Sequence, residues 1–349
     1  MRAEDTLMFQ EAASAAEVVE AQLAANRALC AELGERLRRQ PPTSVLISGR
    51  GSSDNAGVFA RYLIETRTGL LVSHAALSVS SVYDRTPHLK GALCLAISQS
   101  GKSPDLVASV EAAREGGAFV IALVNVEDSP LAKAADAVLP LRAGPEKSVA
   151  ATKTFIASLT AILQLVAAWR GDAALTAALD DLPKQLRQAW TKDWTPALPV
   201  LEAAQHLYVV GRGLGFGVVR EAALKFKETC GLHAAAFSAA EVRHGPMALV
   251  GKGFPVLMFG QSDETWDDIE ALAKSFAERG GQVLLAGPNS YAAGGPTPGP
   301  IALQTVKAHP AVEPILLVQS FYRMAARLSV ARGYDPDRPP HLNKVTETV

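Results

Sequence analysis

Two different loop motifs recur along this 349-residue chain with one common spacing, and no other feature constrains its fold as strongly. The glycine motif at 48–51 (SGRG) returns at 210–213 (VGRG), an offset of 162 residues (210 − 48). The motif at 98–100 (SQS) returns at 260–262 (GQS) with the same offset (260 − 98). A period this long excludes a solenoid, whose repeats span about 20–50 residues. The sequence therefore predicts a tandem duplication of one domain.

Within the first copy, short β-branched apolar runs alternate with helical stretches. The predicted strands are 45–48, 92–98, 119–125 and 137–141, and the predicted helices lie near 55–66, 105–115 and 152–169. Nearly continuous apolar strands that alternate with helices are typical of a parallel sheet covered on both faces. The expected fold class is therefore α/β.

The chain length fits about two domains at roughly 150 residues each. A helical segment is expected over 1–40, because apolar residues recur there with helical spacing up to two prolines. The expected bounds are a first domain at 41–170, a linker at 171–199, a second domain at 200–332 and a tail at 333–349. Residues 287–300 are rich in glycine and proline and are expected to form an irregular loop.

Composition and charge exclude several classes of protein. Hydrophobic residues make up 48% and charged residues 20%, as in a globular chain rather than a disordered one. Lys and Arg number 34 against 35 Asp and Glu, so no global positive field favours nucleic acid. No apolar run approaches the ~20 residues of a membrane span, and the first ten residues lack a signal-peptide core. We expect a cytoplasmic protein with neither a membrane nor a nucleic-acid partner.

The cysteines and histidines do not have the spacing of a metal site. Cys30, Cys94 and Cys230 form no CxxC pair, and none of the seven histidines belongs to an HExxH motif. A disulfide framework and a zinc site are therefore not indicated. We expect no metal and no redox cofactor.

Two loops of the first copy are suited to an anion. The loop 49–53 (GRGSS) follows a strand and opens a helix, although a plain βα turn explains it equally well. The loop 98–103 (SQSGKS) has more hydroxyl and amide groups than a plain turn needs, whereas its second copy carries two acids. We expect only the first domain to keep an anion site. The candidate residues are Gly51, Ser52, Ser53, Ser98, Gln99, Ser100 and Ser103.

A predicted helix of the second copy carries a group of charged residues. Glu221, Lys225 and Glu228 have i, i+4 and i+7 spacing, which places them on one face. A surface ion-pair ladder is the simpler interpretation of such a pattern. The apolar residues around the three positions indicate partial burial, which weakens that interpretation.

His244 and Lys344 are two further candidates, although each also has a purely structural interpretation. His244 precedes a Gly-Pro pair, which forms a rigid turn that would hold an imidazole in place, although a lone histidine is usually structural. Lys344 lies beside Asn343 in the tail, where an isolated lysine is normally solvated and the terminus frayed.

Taken together, these motifs resemble the sugar isomerase (SIS) family, in particular the isomerase half of glucosamine-6-phosphate synthase. The resemblance runs from Pro41 to the end of the chain. It rests on GRGSS (49–53), SQSGKS (98–103), EKSVAATK (146–153), EAALKFKE (221–228), EVRHGPM (241–247) and LNKVT (342–346). The fold that it implies is two tandem SIS domains, each a flavodoxin-like parallel sheet flanked by helices.

The resemblance also implies roles for individual residues. Glu228 matches the base that moves a proton between C1 and C2, and Glu221 and Lys225 match residues that support it. His244 matches a ring-opening histidine that reaches into the neighbouring subunit's site, and Lys344 matches a lysine that forms a Schiff base with the open ketose. The matches for the substrate-binding positions are the serines and Gln99 of the two loops, with Val149, Ala151 and Asn343.

The chain departs from the synthase in three ways. Arg50 stands where the synthase has a cysteine, and Ala151 where it has a serine. The synthase also carries an N-terminal glutaminase whose second residue is a cysteine, whereas residue 2 here is arginine and the α/β repeat begins about forty residues in. The expectation is that this chain has no internal ammonia source and resembles stand-alone isomerising deaminases.

The expected function is the isomerising deamination of an amino-sugar phosphate, from glucosamine 6-phosphate to fructose 6-phosphate and ammonia, by a homodimer with composite active sites. Alternatives within the enzyme class are an ammonia- or glutamine-linked fructose-6-phosphate aminotransferase, a galactosamine-6-phosphate deaminase and a fructosamine-phosphate deglycase. A sugar-phosphate sensor without catalysis is the alternative from another class. The first forty residues are rich in alanine and offer no basic recognition helix, which disfavours a transcription factor.

Overall fold

The computed structural model describes residues 1–288 and 299–344. Their contacts group them into two compact units. The first-repeat unit comprises Glu17–Glu146, Lys153–Asp181 and 343–344, and the second-repeat unit comprises Met1–Ala16, Lys147–Thr152 and the described part of Leu182–Leu342. The domain bounds expected from the sequence remain a prediction.

The N-terminal segment forms two helices, α1 (Leu7–Ala13) and α2 (Ala15–Arg39), which confirms the helical periodicity of this region. The first begins at Thr6, whose hydroxyl accepts a hydrogen bond from the Phe9 amide at 3.3 Å. It belongs to the second-repeat unit, whereas most of α2 belongs to the first.

The sheet of the first-repeat unit has five parallel strands, β1 (Val45–Ser48), β2 (Val72–His74), β3 (Leu93–Ser98), β4 (Phe119–Val124) and β5 (Ala137–Pro140). Their order is β2-β1-β3-β4-β5. Every residue of the central strand β3 is buried. A parallel strand covered on both faces explains why its sequence is apolar throughout rather than alternating.

Helices cover both faces of this sheet. They are most of α2, then α3 (Ser52–Thr68), α4 (Ser78–Ser81), α5 (Pro104–Glu115), α6 (Pro130–Ala134), α7 (Lys153–Arg170) and the first half of α8 (Ala173–Trp190). A Cβ at Gly57 would lie 2.6 Å from the Ile47 side chain, so the glycine is what lets α3 approach β1. Helix α7 is buried almost all round, as its apolar sequence predicted.

The second-repeat unit repeats this topology. Its strands are β6 (His206–Gly211), β7 (His233–Ser238), β8 (Pro255–Phe259), β9 (Gln282–Ala286) and β10 (Ile301–Leu303), in the order β7-β6-β8-β9-β10. Its helices are α1, the second half of α8, α9 (Leu198–Ala203), α10 (Phe216–Cys230), α11 (Trp266–Glu278) and α12 (Glu313–Ala331). Two parallel sheets with the same strand order confirm the α/β class and its duplication.

Each strand predicted for the first copy is present, with ends that differ by at most one residue. The three-residue strand β2 and the short helices α4 and α6 were not predicted, because a few residues carry too little periodicity. The expected linker at 171–199 contains α8, which buries Leu175, Leu182 and Leu186. Of the irregular loop expected at 287–300, residues 289–298 lie outside the described residues.

Across the described residues, no helix combines the length and the apolar character that a membrane span requires. The three cysteines are free and buried in the core. Burial raises the pKa of the Cys94 thiol to about 12.

Candidate active site

Both candidate anion loops lie at the carboxyl edge of the first-repeat sheet. The loop 49–53 leaves β1 and the loop 98–103 leaves β3, and these two strands are hydrogen-bonded neighbours with Ile47 opposite Leu95. Ligands bind at this edge in open parallel sheets, because the loops there end in helix N-termini. The structure therefore brings together the two loops that the sequence selected separately.

Arg50 connects the loop 49–53 to the start of α5, the helix that follows the loop 98–103. Its Nε and Nη2 both donate to Asp105 Oδ2, at 2.9 and 2.7 Å. Asp105 is completely buried in the first turn of α5, whereas the Arg50 side chain is 55% exposed. A buried carboxylate needs such a partner, so this pair fixes the distance between the loops.

The loop 98–103 is held in a tight turn by its own side chains. The Gly101 amide donates to Ser98 Oγ at 3.0 Å, and the Lys102 amide donates to Ser100 Oγ at 3.3 Å. Gly101 has a φ of +63°, and a Cβ there would collide with the Ser129 side chain. The turn leaves Gln99, Ser100 and Ser103 partly exposed at the start of α5.

The loop 49–53 forms the turn from β1 into α3. Gly51 caps α3 with a φ of +54°, so the N-cap is a glycine rather than the serine that a plain turn would have used. Ser52 and Ser53 begin the helix and are partly exposed. Asp54 Oδ1, in the first turn of α3, lies 2.8 Å from His74 Nδ1.

The tail lysine lies in the first-repeat unit and is not freely solvated. Lys344 Nζ is 3.5 Å from Glu146 Oε2, and its side chain is 27% exposed. The Glu146 side chain is completely buried, and its Oε1 accepts a hydrogen bond from the Thr154 amide in the first turn of α7 at 3.1 Å. Glu146 opens the EKSVAATK motif, so the structure connects this motif to the tail motif.

In the second-repeat unit, α10 carries the charged cluster that the i, i+4, i+7 spacing indicated. Lys225 Nζ lies 3.1 Å from Glu221 Oε1 and 2.6 Å from Glu228 Oε2. Tyr322, on the neighbouring helix α12, donates a hydrogen bond from its hydroxyl to Glu221 Oε1 at 3.1 Å. The cluster is therefore not a surface ladder.

Burial separates the three members of this cluster. Lys225 and Glu221 are 1% and 0% exposed, whereas the Glu228 side chain is 22% exposed. Burial alone would lower the pKa of Lys225, but the charges of Glu221 and Glu228 outweigh it and raise this pKa above its usual value. Lys225 therefore stays cationic at neutral pH and holds Glu228, the accessible member, in one place.

His244 lies at the end of a 3₁₀ turn, Glu241–Arg243, and is exposed. Its amide donates to the Glu241 carbonyl at 2.9 Å. The next residue, Gly245, has a φ of +133°, which a residue with a side chain rarely adopts. This confirms a tight turn around the histidine, which presents its imidazole at the surface.

Helix α1 holds both the EKSVAATK segment and the tail. The Glu11 carboxylate accepts hydrogen bonds from the amides of Lys147 at 2.5 Å and Ser148 at 3.2 Å. Asp337 of the tail accepts hydrogen bonds from two amides in the first turn of α1, both at 2.7 Å. The described part of the tail, up to Lys344, is thus anchored at Asp337, seven positions before that lysine.

The remaining predicted residues lie near these anchors. Val149 and Ala151 are partly exposed and follow the segment that Glu11 holds, and Asn343 is exposed beside Lys344. Reasoning from the sequence did not single out Glu11, Asp105, Glu146 and Asp337, which hold Lys344 and the segments next to other candidate residues. Each is a single carboxylate with no distinctive spacing, which is too common in a sequence to single out.

The comparisons with known proteins fit this arrangement. The SIS domain matches residues 39–168 and 200–286. The chain is 36% identical over 318 residues to a glutamine–fructose-6-phosphate aminotransferase (isomerizing) of Aeropyrum pernix, covering 86% of this chain and 50% of that protein. It is 31% identical over 308 residues to the protein of that name from Thermotoga maritima, covering 84% and 50%. The chain spans about half the length of the curated relatives it matches.

Solved structures show the same architecture. A candidate phosphosugar isomerase from Silicibacter pomeroyi is 40% identical with a TM-score of 0.88, and the match covers 95% of this chain and 100% of that one. The C-terminal domain of an aminotransferase from Francisella tularensis shares the fold at 24% identity, with a TM-score of 0.82 and a match over 96% and 98%. Together with the domain match over more than half of its residues, these findings show that the chain belongs to the SIS domain family.

Proposed function

We propose that this chain catalyses the isomerising deamination of an amino-sugar phosphate, from glucosamine 6-phosphate and water to fructose 6-phosphate and ammonia. The observation that carries the proposal is the cluster on α10, in which a buried lysine fixes the accessible carboxylate of Glu228 at 2.6 Å. A proton that moves between two adjacent carbons needs one rigid base within reach of both. A protein that only senses a sugar phosphate has no use for such a base.

The proposal gives Glu228 the proton transfer. In the open-chain aldose, Glu228 takes the proton from C2 and returns it to C1, while a proton passes from the amine nitrogen to O1. The 2-amino aldehyde thereby becomes the C2 imine of the ketose. Lys225 orients the carboxylate, and Glu221 balances the charge of Lys225.

Two further residues complete the reaction. His244 is proposed to open the sugar ring, because an imidazole can give and take a proton near neutral pH. Lys344 is proposed to attack C2 of the imine, so that ammonia leaves and a lysine imine forms; water then releases fructose 6-phosphate and the free amine. No step requires oxidation or reduction.

Phosphate binding is assigned to the loops of the first-repeat unit. The proposed donors are the groups of Gly51, Ser52, Ser53, Ser98, Gln99, Ser100 and Ser103, with Val149, Ala151 and Asn343 assigned to the sugar. The position of the loops at the ends of neighbouring strands β1 and β3 supports this assignment. A remote phosphate anchor contributes binding energy that orients the reacting carbons.

The phosphate assignment predicts a loss of affinity when the hydroxyls are removed. Ser100→Ala combined with Ser103→Ala should raise KM at least about tenfold, since a hydrogen bond to a charged group contributes about 1.5–3 kcal/mol. Steady-state kinetics on glucosamine 6-phosphate would measure this, with Ser262→Ala in the second copy as the matched control. An unchanged KM in a folded double variant would remove the two serines from the site.

A second candidate function is the same chemistry in the reverse direction, which forms glucosamine 6-phosphate from fructose 6-phosphate and ammonia. The names of the relatives favour it, because 86% of this chain matches an isomerizing aminotransferase. The proposed residues serve both directions, since each proton transfer and the lysine imine are reversible.

One experiment tests the proposal and separates it from its alternatives. Ammonia release is measured with glucosamine 6-phosphate, galactosamine 6-phosphate and a fructosamine phosphate, and ammonia uptake is measured with fructose 6-phosphate. We expect release to be fastest with glucosamine 6-phosphate. Preference for another donor would reassign the substrate, and binding without turnover in either direction would contradict an enzymatic function.

We also propose that the protein works as a homodimer in which His244 acts on the partner's substrate. The exposed turn that carries His244 continues to Leu249, which is 66% exposed, and an apolar side chain this exposed beside a chemically useful one suits a contact between subunits.

Mixing inactive subunits tests this assembly. Glu228→Ala and His244→Ala subunits should each be inactive alone, and exchange between them should restore about a quarter of wild-type activity, because half of the random dimers are hybrids with one intact site. Native mass spectrometry verifies the exchange. If hybrid dimers form but activity does not recover, His244 does not act in the partner's site.

A further inference from the structure

The anion loop of the first repeat has a counterpart in the second repeat at the same place in the sheet. Strand β8 lies between β6 and β9, just as β3 lies between β1 and β4. Ser262 follows β8 as Ser100 follows β3, at the common offset of 162 residues (262 − 100). The two loops therefore present the same serine at the carboxyl end of the same strand.

In the second repeat, a carboxylate of the protein itself occupies this loop. Glu313 Oε2 accepts a hydrogen bond from the Ser262 amide at 2.5 Å, and Glu313 Oε1 accepts one from the Ser262 hydroxyl at 2.7 Å. Glu313 Oε1 also accepts the Ala308 amide at 3.3 Å. Glu313 is only 4% exposed. Three neutral donors around one buried oxyanion are what an anion site provides.

The other polar groups of this loop are also engaged. Asp263 Oδ1 accepts hydrogen bonds from the amide and the hydroxyl of Thr265 at 2.9 and 2.6 Å, and Asp263 Oδ2 accepts one from Gln261 Nε2 at 3.0 Å. The guanidinium of Arg212, the counterpart of Arg50, forms an ion pair with Asp268. The donor groups of Gln261, Ser262 and Thr265 are thus hydrogen-bonded to carboxylates of the protein itself.

We propose that Glu313 is a built-in anion that fills the second copy of the phosphate loop, and that removing its carboxylate opens an oxyanion site for phosphate at Ser262. A small cavity lined by Gly260, Gly287, Thr305 and Glu313 adjoins the carboxylate. A corollary, which rests on the proposed function of the first loop, is that each chain binds one sugar phosphate rather than two.

The test uses inorganic phosphate and the full-length protein. Ser100→Ala/Ser103→Ala serves as the background, because it weakens phosphate binding at the first loop, and Glu313→Ala is added to it. A phosphate response is assigned to the second loop only where Ser262→Ala abolishes it. With Glu313 present, phosphate should leave Tm unchanged relative to chloride at equal ionic strength. With Glu313→Ala, saturating phosphate should raise Tm by about 5 °C. A further Ser262→Ala change should abolish this rise.

Several outcomes would overturn the proposal. One is a folded Glu313→Ala protein that phosphate does not stabilise; if this variant does not fold, Glu313→Ser takes its place and the same result counts. Another is a saturable phosphate response that persists with Glu313 in place and is abolished by Ser262→Ala, because it would show that the second loop is already open.

Titration calorimetry with fructose 6-phosphate tests the corollary. The wild-type protein should bind one equivalent per chain, and two equivalents would contradict the closed second loop. No binding at all would contradict the proposed function of the first loop, whereas the phosphate response of Glu313→Ala is read independently of it. Failure of the two proposals can therefore be told apart.

Discussion

Replacing Glu228 by glutamine should abolish nearly all conversion of glucosamine 6-phosphate while the protein remains folded. The amide matches the carboxylate in shape and can still accept a hydrogen bond from Lys225, which now lies 2.6 Å from Glu228 Oε2. It cannot take a proton from C2. We expect kcat to fall by about 10²–10⁴-fold, the usual contribution of a general base, with KM changed little.

The electrostatics of the cluster support a clean test. Glu221, Lys225 and Glu228 carry a net charge of −1 when all are ionised, so Glu228→Gln leaves one buried pair of opposite charges. Lys225→Ala is a poorer choice, because it would leave two carboxylates without their cation. The matched control is Lys227→Gln, an exposed change on the same helix.

Two measurements complete this test. Circular dichroism and Tm establish that the variant is folded, and proton NMR in D₂O follows deuterium entering C1 of the ketose product. The wild-type protein and Lys227→Gln should incorporate deuterium or transfer the proton at the same rate, and Glu228→Gln should do neither. If Glu228→Gln turns over substrate within a few-fold of the control, Glu228 is not the general base.

How far the sequence predicted the fold depended on the length of each pattern. Strands β1, β3, β4 and β5 were predicted because each is an apolar run of at least four residues, as a buried parallel strand requires. The duplication was predicted because two loop motifs recur with an offset of 162 residues. Strand β2 has three residues and lies at an edge, so it carries no readable pattern. Its place in the sheet is a consequence of tertiary packing.

The candidate site was predictable to the level of its motifs and no further. The spacing of Glu221, Lys225 and Glu228 placed them on one helix face, but only the structure shows that Glu221 and Lys225 are buried while Glu228 is accessible. The partners came from distant positions in the chain. Asp105 pairs with Arg50 across 55 residues, and Tyr322 reaches Glu221 across 101. No local pattern encodes such contacts.

The same limit applies to the second anion loop. Two acidic residues within the loop indicated that it had lost its anion site. One of them, Asp263, accepts a hydrogen bond from the hydroxyl of Thr265. The carboxylate that fills the loop belongs to Glu313, which is 51 residues away at the start of α12. The sequence thus indicated that the second loop had lost its anion site, but the structure shows that Glu313, rather than the acids of the loop, accepts the hydrogen bonds of Ser262.

Lys344 is expected to form a covalent adduct with the substrate, and its loss should be nearly as damaging as that of Glu228. In the proposed reaction, the ε-amine attacks the C2 carbon of the imino sugar and ammonia leaves. Treating the protein with fructose 6-phosphate and borohydride should trap the reverse adduct, because the amine and the C2 carbonyl lose water to form an imine that hydride reduces. Peptide mass spectrometry should find one reduced sugar phosphate on Lys344.

The neighbouring carboxylate makes Lys344→Arg the sharpest variant. Glu146 is buried and lies 3.5 Å from Lys344 Nζ, so Lys344→Ala removes a counter-ion as well as a nucleophile. Arginine keeps the positive charge beside Glu146 and cannot form the imine, since it does not lose its proton in proteins. Both variants should lower kcat on the order of 10²-fold or more, the effect of losing one well-placed transition-state group.

The comparison between the two variants separates chemistry from structure. If the lysine matters only as a partner for Glu146, Lys344→Arg should retain activity and Tm, and Lys344→Ala should lose both. If it acts as the nucleophile, both variants should be inactive and neither should be trapped, while the exposed Lys184→Ala control on α8 behaves as wild type. A protein that lacks residues 341–349 and still releases ammonia at the wild-type rate would show that the tail, although anchored through Asp337, takes no part in the reaction.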